Sequence, residues 1–271
     1  MNQYKYNEEE YAKHIESKGF LTQYHNYELT LLVKYWKKNG IKPKERKEKI
    51  YEFCKEHIEK FNEVKYFRKI NYVLNKGNRK DNPLIIINEI PITDNEFKYI
   101  NKSDIEYDYK KILFSLLVSM KIKKEILRQK YGNQSDFYFI GGTQKIFDEI
   151  FEMSKLPNIY EINSIINMFE NLGYVDVRTK GKINLLFMNE IEKSDVILFE
   201  ITTFDNIIYY FDFYNGDNKI IKCIECGKLI RQSRNKSKKY CKTCWIEKEQ
   251  INNRKYSRES MRRLRSNVKG V

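Results

Sequence analysis

Alanine occurs once in this 271-residue chain, at Ala12, and proline only four times and histidine three. The near absence of alanine beside abundant Lys, Ile, Asn and Tyr reads as the codon bias of an AT-rich genome, which carries no chemistry. Long hydrophobic runs are missing too. The longest near-apolar stretch, Ile112 to Met120, is nine residues and holds Ser115 and Ser119, far short of the roughly twenty needed to cross a bilayer. No membrane partner is therefore expected. Met1 to Glu8 lacks a basic segment followed by an apolar one, so secretion is not expected and the protein reads as cytoplasmic. Catalytic patterns are also absent. His14, His25 and His57 have no cysteine or serine motif nearby, and Gly141-Gly142 belongs to no GxGxxG or GKS sequence. Asp104, Glu106 and Asp108 read as charges at the start of a helix rather than as a metal cluster. We assign no catalytic residue and lean against an enzyme.

The chain does have enough apolar residues, 41% hydrophobic and 14% aromatic, to bury a core divided into two or three units. The net charge of +14 is unevenly spread. From Ile221 to Val271 there are 16 Lys/Arg and 4 Asp/Glu, a surplus of 12, which leaves 35 against 33 in residues 1–220. The basic character belongs to the last fifth.

Periodicity predicts a mainly helical domain over 1–100, with apolar residues three and four apart at Tyr24, Tyr27, Leu31, Tyr35 and at Ile50, Phe53, Cys54, His57, Phe61. Asn39-Gly40 and Pro43 separate these helices. Cys54 lies on the apolar stripe and reads as a small buried hydrophobe. Leu84 to Ile87 reads as a strand before Pro91. In the second domain, 101–220, one apolar face runs through Tyr109, Ile112, Leu113, Leu116, Leu117 and Met120. A second comprises Ile146, Phe147, Ile150 and Phe151, and a third Ile162, Ile165, Ile166, Phe169 and Leu172. Ser154 to Asn158, with Pro157, forms a sharp corner between the second and third. Gly173 ends the third, and Tyr174 to Arg178 and Ile183 to Phe187 flank a Lys-Gly turn as a β-hairpin. Val196 to Ile201 and Ile207 to Tyr214 read as further strands, punctuated by Asn215-Gly216.

Helix, helix-turn-helix and hairpin in this order resemble a winged-helix domain. The resemblance covers Asp108 to Met188 and rests mainly on Asn171-Leu-Gly-Tyr-Val-Asp-Val and Gly181-Lys-Ile-Asn-Leu. It implies that Tyr160 to Leu172 is a recognition helix offering Asn163 and Asn167 to bases, and that Arg178, Lys180 and Lys182 form a wing on the neighbouring backbone. The chain departs from that pattern in carrying Glu161 and Glu170 but no Lys or Arg on this helix. A scaffolding or protein-contact role is the alternative.

The third domain, 221–271, carries the strongest motif. Cys223-Ile-Glu-Cys226 and Cys241-Lys-Thr-Cys244 are two CxxC pairs separated by fourteen residues. Two such turns supply four thiolates to one tetrahedral metal, zinc before iron, and a fully cysteine-filled site leaves no position for water, so the ion is structural. A redox dithiol would need one isolated pair. The pattern resembles short zinc-ribbon or treble-clef tails of nucleic-acid-associated proteins, including uncharacterised phage and mobile-element proteins of the form C-x-x-C-G-K…Y-C-x-x-C. Trp245 to Arg265 then reads as a helix, and Arg231, Arg234, Lys236, Lys238, Lys239, Arg254, Lys255, Arg258, Arg262, Arg263 and Arg265 form a surface suited to phosphate. The expected whole is an α+β protein binding nucleic acid, DNA before RNA, in regulation of transcription or replication. The alternatives are a nuclease-like processing enzyme, with three carboxylates converging beside the basic surface, and a protein-interaction adaptor.

Overall fold

The computed structural model describes residues 6–132, 140–141, 162–178, 182–189, 191, 196–232 and 238–268. Among the described residues the fold mixes helices with three small antiparallel sheets, and the chain divides into two compact units, Met1–Asp205 and Asn206–Val271. Among the described residues no helix is long and apolar enough to cross a membrane.

The first unit opens with four helices, α1 (Glu8–Lys18), α2 (His25–Lys38), α3 (Pro43–His57) and α4 (Glu63–Asn78). Local chemistry sets their ends. Asn7 and Asn62 accept side-chain bonds from the first turns of α1 and α4, and Pro43 begins α3, where its missing N–H costs nothing. Asn39 caps α2 and Gly40 follows at φ +79°, the left-handed position that glycine fills without strain. Ile15, Leu31, Leu32, Val33, Trp36, Ile50, Ile70 and Val73 form the core between these helices. Cys54 is buried among them and its thiol is pushed up to about 11 by that burial, which leaves it an inert hydrophobe. Tyr24 and Tyr27, on the predicted apolar repeat, are exposed instead; Tyr24 precedes α2, and Tyr27 meets α1 at the Tyr11 ring, 6.2 Å between centres, while leaving about half its surface in solvent.

Two details hold α2 in place. Glu28 is fully buried, and its carboxylate accepts bonds from the Tyr11 hydroxyl at 2.7 Å and the Leu21 N–H at 3.1 Å. Gly77, on α4, lies so close to α2 that a Cβ there would meet Val33 Cγ1 at 2.6 Å and the Thr30 carbonyl oxygen at 3.2 Å. Gly77→Ala is expected to destabilise the first unit by about 1–3 kcal/mol through overpacking. Thermal unfolding checks this, because a loss of that size lowers the midpoint by several degrees at roughly 2–4 °C per kcal/mol.

The strand expected over Leu84–Ile87 is reduced to one bridge, Ile86 to Asn7, and the strand proper is β1 (Ile90–Thr93), which includes Pro91. Among the described residues β1 pairs only with β5 (Ile197–Ile201), so proline's missing donor interrupts no central ladder there. Thr93 and Glu96 exchange side-chain and backbone bonds as a capping box that starts α5 (Asp94–Lys102). Glu96 is also paired at 2.6 Å with Lys121 of α6 (Tyr107–Tyr131). The face of α6 predicted as apolar is buried at Ile112, Leu113, Leu116, Leu117 and Met120.

After α6 come β2 (Ile140–Gly141), α7 (Ile162–Asn171), β3 (Val175–Arg178) and β4 (Lys182–Leu185). The three strands make one sheet in the order β2-β4-β3, with Val177 opposite Ile183 and Gly141 opposite Lys182. Helix α7 buries Ile165, Ile166 and Phe169 and leaves Ser164, Asn167 and Glu170 exposed. Gly173 follows it at φ +76°. The predicted helix through Ile146 to Phe151, the corner Ser154–Asn158, and Lys180 of the expected wing lie outside the described residues.

The second unit corrects one expectation. Ile207 to Tyr214 is not a strand; Ile208–Tyr214 is helix α8. Its sequence is apolar almost throughout, so alternation and helical periodicity both fit so short a run. What decides is that Ile207, Ile208 and Phe211, three and four apart, are buried together, in a helix packed on the hairpin of β6 (Ile220–Lys222) and β7 (Leu229–Arg231). The unit ends in α9 (Lys242–Val268), 27 residues long.

Candidate metal centre

The hairpin β6–β7 presents the first cysteine pair. Ile221 faces Ile230 and Lys222 faces Leu229, and the turn beyond is closed by the Cys223 N–H bonding to the Lys228 carbonyl at 2.8 Å and the Gly227 N–H to the Cys223 carbonyl at 2.9 Å. Gly227 adopts φ +72° with open space around it. Backbone conformation, rather than crowding, is what demands glycine there. The second pair arrives differently. Cys241 immediately precedes α9 and Cys244 lies in its first turn, where unpaired N–H groups and the helix dipole favour negative charge. The two pairs are joined by the Ile224 N–H bonding to the Lys239 carbonyl at 3.1 Å and by Lys248 of α9 pairing with Glu225 at 2.8 Å.

All four sulfurs lie within 4.8 Å of one another. Cys226 Sγ and Cys241 Sγ are 3.7 Å apart. A disulfide requires about 2.0 Å, whereas a tetrahedron of thiolates about 2.3 Å from a central ion has edges of about 3.8 Å. The spacing therefore suits a shared metal. Cys223, Cys241 and Cys244 are buried and Cys226 is exposed. Backbone donors point at sulfur, with the Cys241 N–H 3.3 Å from Cys223 Sγ and the Cys244 N–H 3.5 Å from Cys241 Sγ.

Ionisation follows from these contacts. Burial alone would raise the Cys223 thiol, but the backbone N–H groups of Cys226, Cys241 and Glu225 outweigh it and bring the group down to about 6. Burial raises Cys226, and shared hydrogen bonds with the sulfurs of Cys241 and Cys226 raise Cys244. Four sulfurs this close cannot all be charged without a cation among them. A metal ion supplies that cation and displaces the protons. The four cysteines can thus hold one metal ion.

The basic residues are placed less tightly. Arg231, Lys238, Lys239, Arg254 and Arg258 are exposed in the second unit, and Lys255, Arg262, Arg263 and Arg265 follow along the backbone of α9. Arg231 approaches Asp217 at 3.9 Å. Among the described residues no carboxylate pairs with Lys238, Lys239, Arg254 or Arg258. Arg234 and Lys236 lie outside the described residues. In the first unit, Arg178 and Lys182 sit at the described ends of β3 and β4, Arg178 paired with its neighbour Asp176 at 2.5 Å. Asn167 is exposed on α7, whose first turn holds Asn163. Helix α9 covers the run Trp245 to Arg265 expected to be helical and begins three residues earlier, at Lys242. Between Lys242 and Ser260 its described side chains are exposed except buried Cys244 and half-buried Lys248 and Glu259.

The fold and site define a mixed helix and small-sheet protein with a four-cysteine centre able to bind metal. Comparison with known protein families, curated proteins and solved structures finds no match to this chain.

Proposed function

We propose that the protein binds nucleic acid, duplex DNA ahead of RNA, as a regulator of transcription or replication whose basic tail is organised by one structural zinc on Cys223, Cys226, Cys241 and Cys244. A ligand set closed by four thiolates leaves no coordination site for chemistry. One pair from a hairpin turn and one from a helix start favours the treble-clef side of the resemblance over the ribbon side. The observation that carries the reading is α9: a helix of 27 residues, about 40 Å long, set on the cysteine centre with exposed cations that no carboxylate neutralises among its described residues. Most helical stability in proteins comes from packing of an apolar face, and the described side chains of α9 beyond its first turns are mostly exposed, so on this reading the metal site fixes its start and a polyanion lies along its length.

The first unit supports a winged-helix reading through the order α6, β2, α7, β3, β4 and a sheet ordered β2-β4-β3. Helix α7 has no cation, so on this reading the tail supplies affinity for backbone and the central domain supplies any selectivity. The nuclease alternative gains nothing: among the described residues the four cysteines are the one cluster of metal-ligating groups.

The test is duplex-DNA binding by the full chain and by a chain ending at Asn253. That truncation keeps all four cysteines and the first turns of α9 but removes Arg254, Lys255, Arg258, Arg262, Arg263 and Arg265. Affinity is expected to fall at least about tenfold at moderate salt. Unchanged affinity would sink the proposal.

A further inference from the structure

The first unit has a surface that none of this uses. A cleft of about 400 Å³ lies between the start of α2 and the side of α4, lined by Gln23, Tyr24, His25, Asn26 and Tyr27 and, opposite them, Lys69, Tyr72 and Lys76. We propose that this cleft binds single-stranded nucleic acid, with an unstacked base against Tyr24 and Tyr72 and the flanking phosphates against Lys69 and Lys76. The site belongs to a different unit from the tail and does not depend on the tail's role.

Three observations converge on that ligand. The first is wasted aromatic surface: Tyr24 is 64% exposed, Tyr72 55% and Tyr27 48%, although the same unit buries Trp36 and Phe53. Large rings gathered at the mouth of one cleft offer faces on which flat groups stack. The second is charge. The exposed positions of α4 include Lys65, Arg68, Lys69 and Lys76, and none of these has a carboxylate partner among the described residues. The helix's one acid, Glu63, is engaged by Lys55 at 2.7 Å, and the one acid of α2, Glu28, is fully buried. Along α4, Lys65, Lys69, Tyr72 and Lys76 recur at helical spacing, so they share a side, and the Lys76 ammonium sits 5.7 Å from the Tyr72 ring centre. The third is the entry of α2, which has no side-chain cap. The N–H groups of Tyr27 and Glu28 bond to the Tyr24 carbonyl at 2.9 and 3.2 Å, so those of His25 and Asn26, without an acceptor among the described residues, are the ones that suit an anion at the rim of the same cleft.

Rings beside unpaired cations distinguish among polyanions. A duplex hides its base faces and needs only cations, and an acidic peptide has no planar group to stack. A single strand offers both a planar base and a phosphate on either side of it.

The test uses the full chain with a fluorescent oligo-dT of about a dozen nucleotides, long enough to cover one site, and a duplex of the same length. Tyr24→Ala with Tyr72→Ala is expected to weaken oligo-dT binding roughly five- to a hundredfold, the usual consequence of losing stacked rings, while duplex affinity stays within about twofold. Lys69→Gln with Lys76→Gln should also weaken oligo-dT binding and lower its salt slope by about 1.4, from two phosphate contacts at 0.7 each. In the unaltered protein, an oligonucleotide carrying bromodeoxyuridine should photo-cross-link to the peptides holding Tyr24 or Tyr72. That arm needs no variant, so a variant that fails to fold leaves the question decidable. Cross-linking confined to other peptides overturns the proposal. So does undiminished oligo-dT binding by a folded tyrosine variant, equal loss of duplex binding, or competition by poly-glutamate as strong as by unlabelled oligo-dT of equal charge. Arg254→Gln with Arg258→Gln separates the two readings: if the tail is not a nucleic-acid element, that variant binds duplex normally and the cross-link at the cleft persists.

Discussion

Cys241→Ser is expected to abolish stoichiometric metal binding and to melt the second unit around it, while the first unit keeps its fold. The full chain should carry one zinc ion per molecule by elemental analysis, and the variant much less. The size of the effect follows from how little else holds this region. Among the described residues, the apolar cluster around the site comprises buried Cys223, Cys241 and Cys244 with half-buried Ile230 and Tyr240 against them. Metal ligation in such small modules is worth about 10–16 kcal/mol at neutral pH, far more than the strand pairs of one short hairpin supply. Cys241 also ties the two pairs together, because its sulfur accepts the Cys244 N–H and lies 3.7 Å from Cys226 Sγ, while its own N–H bonds to Cys223 Sγ. Circular dichroism should report loss of the helical signal of α9, and strong chelators should reproduce it in the unaltered chain. A protein purified without metal whose second unit is nonetheless protected from proteolysis would contradict this account.

Binding of the full chain to duplex DNA should weaken by roughly a thousandfold or more between about 50 and 200 mM salt, the behaviour of a surface that neutralises six to ten phosphates. Arg254→Gln with Arg258→Gln should flatten the slope of log affinity against log salt by about two, one for each lost contact. Both arginines are exposed and, among the described residues, unpaired with any carboxylate, so their removal breaks no internal ion pair and should leave thermal stability within about 0.5 kcal/mol. A salt slope that does not change with these substitutions would mean that the helix is a solvated charged face. The Arg178–Asp176 pair provides an internal comparison: its cation is partly neutralised at 2.5 Å, so Arg178→Gln should change the slope less than either tail substitution does.

Where one kind of pattern fits a segment, the residues announce the structure. The α6 face, the α7 stripe with Gly173 behind it, and the hairpin of β3 and β4 each follow a single period, and each formed where its period placed it. The cysteines were legible for a different reason: metal chemistry requires thiolates in converging pairs, and two CxxC turns provide them whatever surrounds them. Misreadings came from segments where local preference was ambiguous. Ile208–Tyr214 is apolar at nearly every position, so only its burial against β6 and β7 made it a helix. The strand expected before Pro91 formed instead across it, because β5 pairs with Ile90–Thr93. The exposure of Tyr24 was likewise invisible, since an apolar repeat does not say which of its members the neighbouring helices cover.

The sequence alone determined that the chain would build a helical first part, group its positive charge at one end and bring four sulfurs together, because periodicity, net charge and ligand chemistry are properties of residues in order. Only the tertiary structure decided which aromatic rings stay in solvent beside the lysines of α4 and that α8 packs on the hairpin that carries the first cysteine pair. These depend on which surfaces meet, and burial is settled between elements distant in the chain.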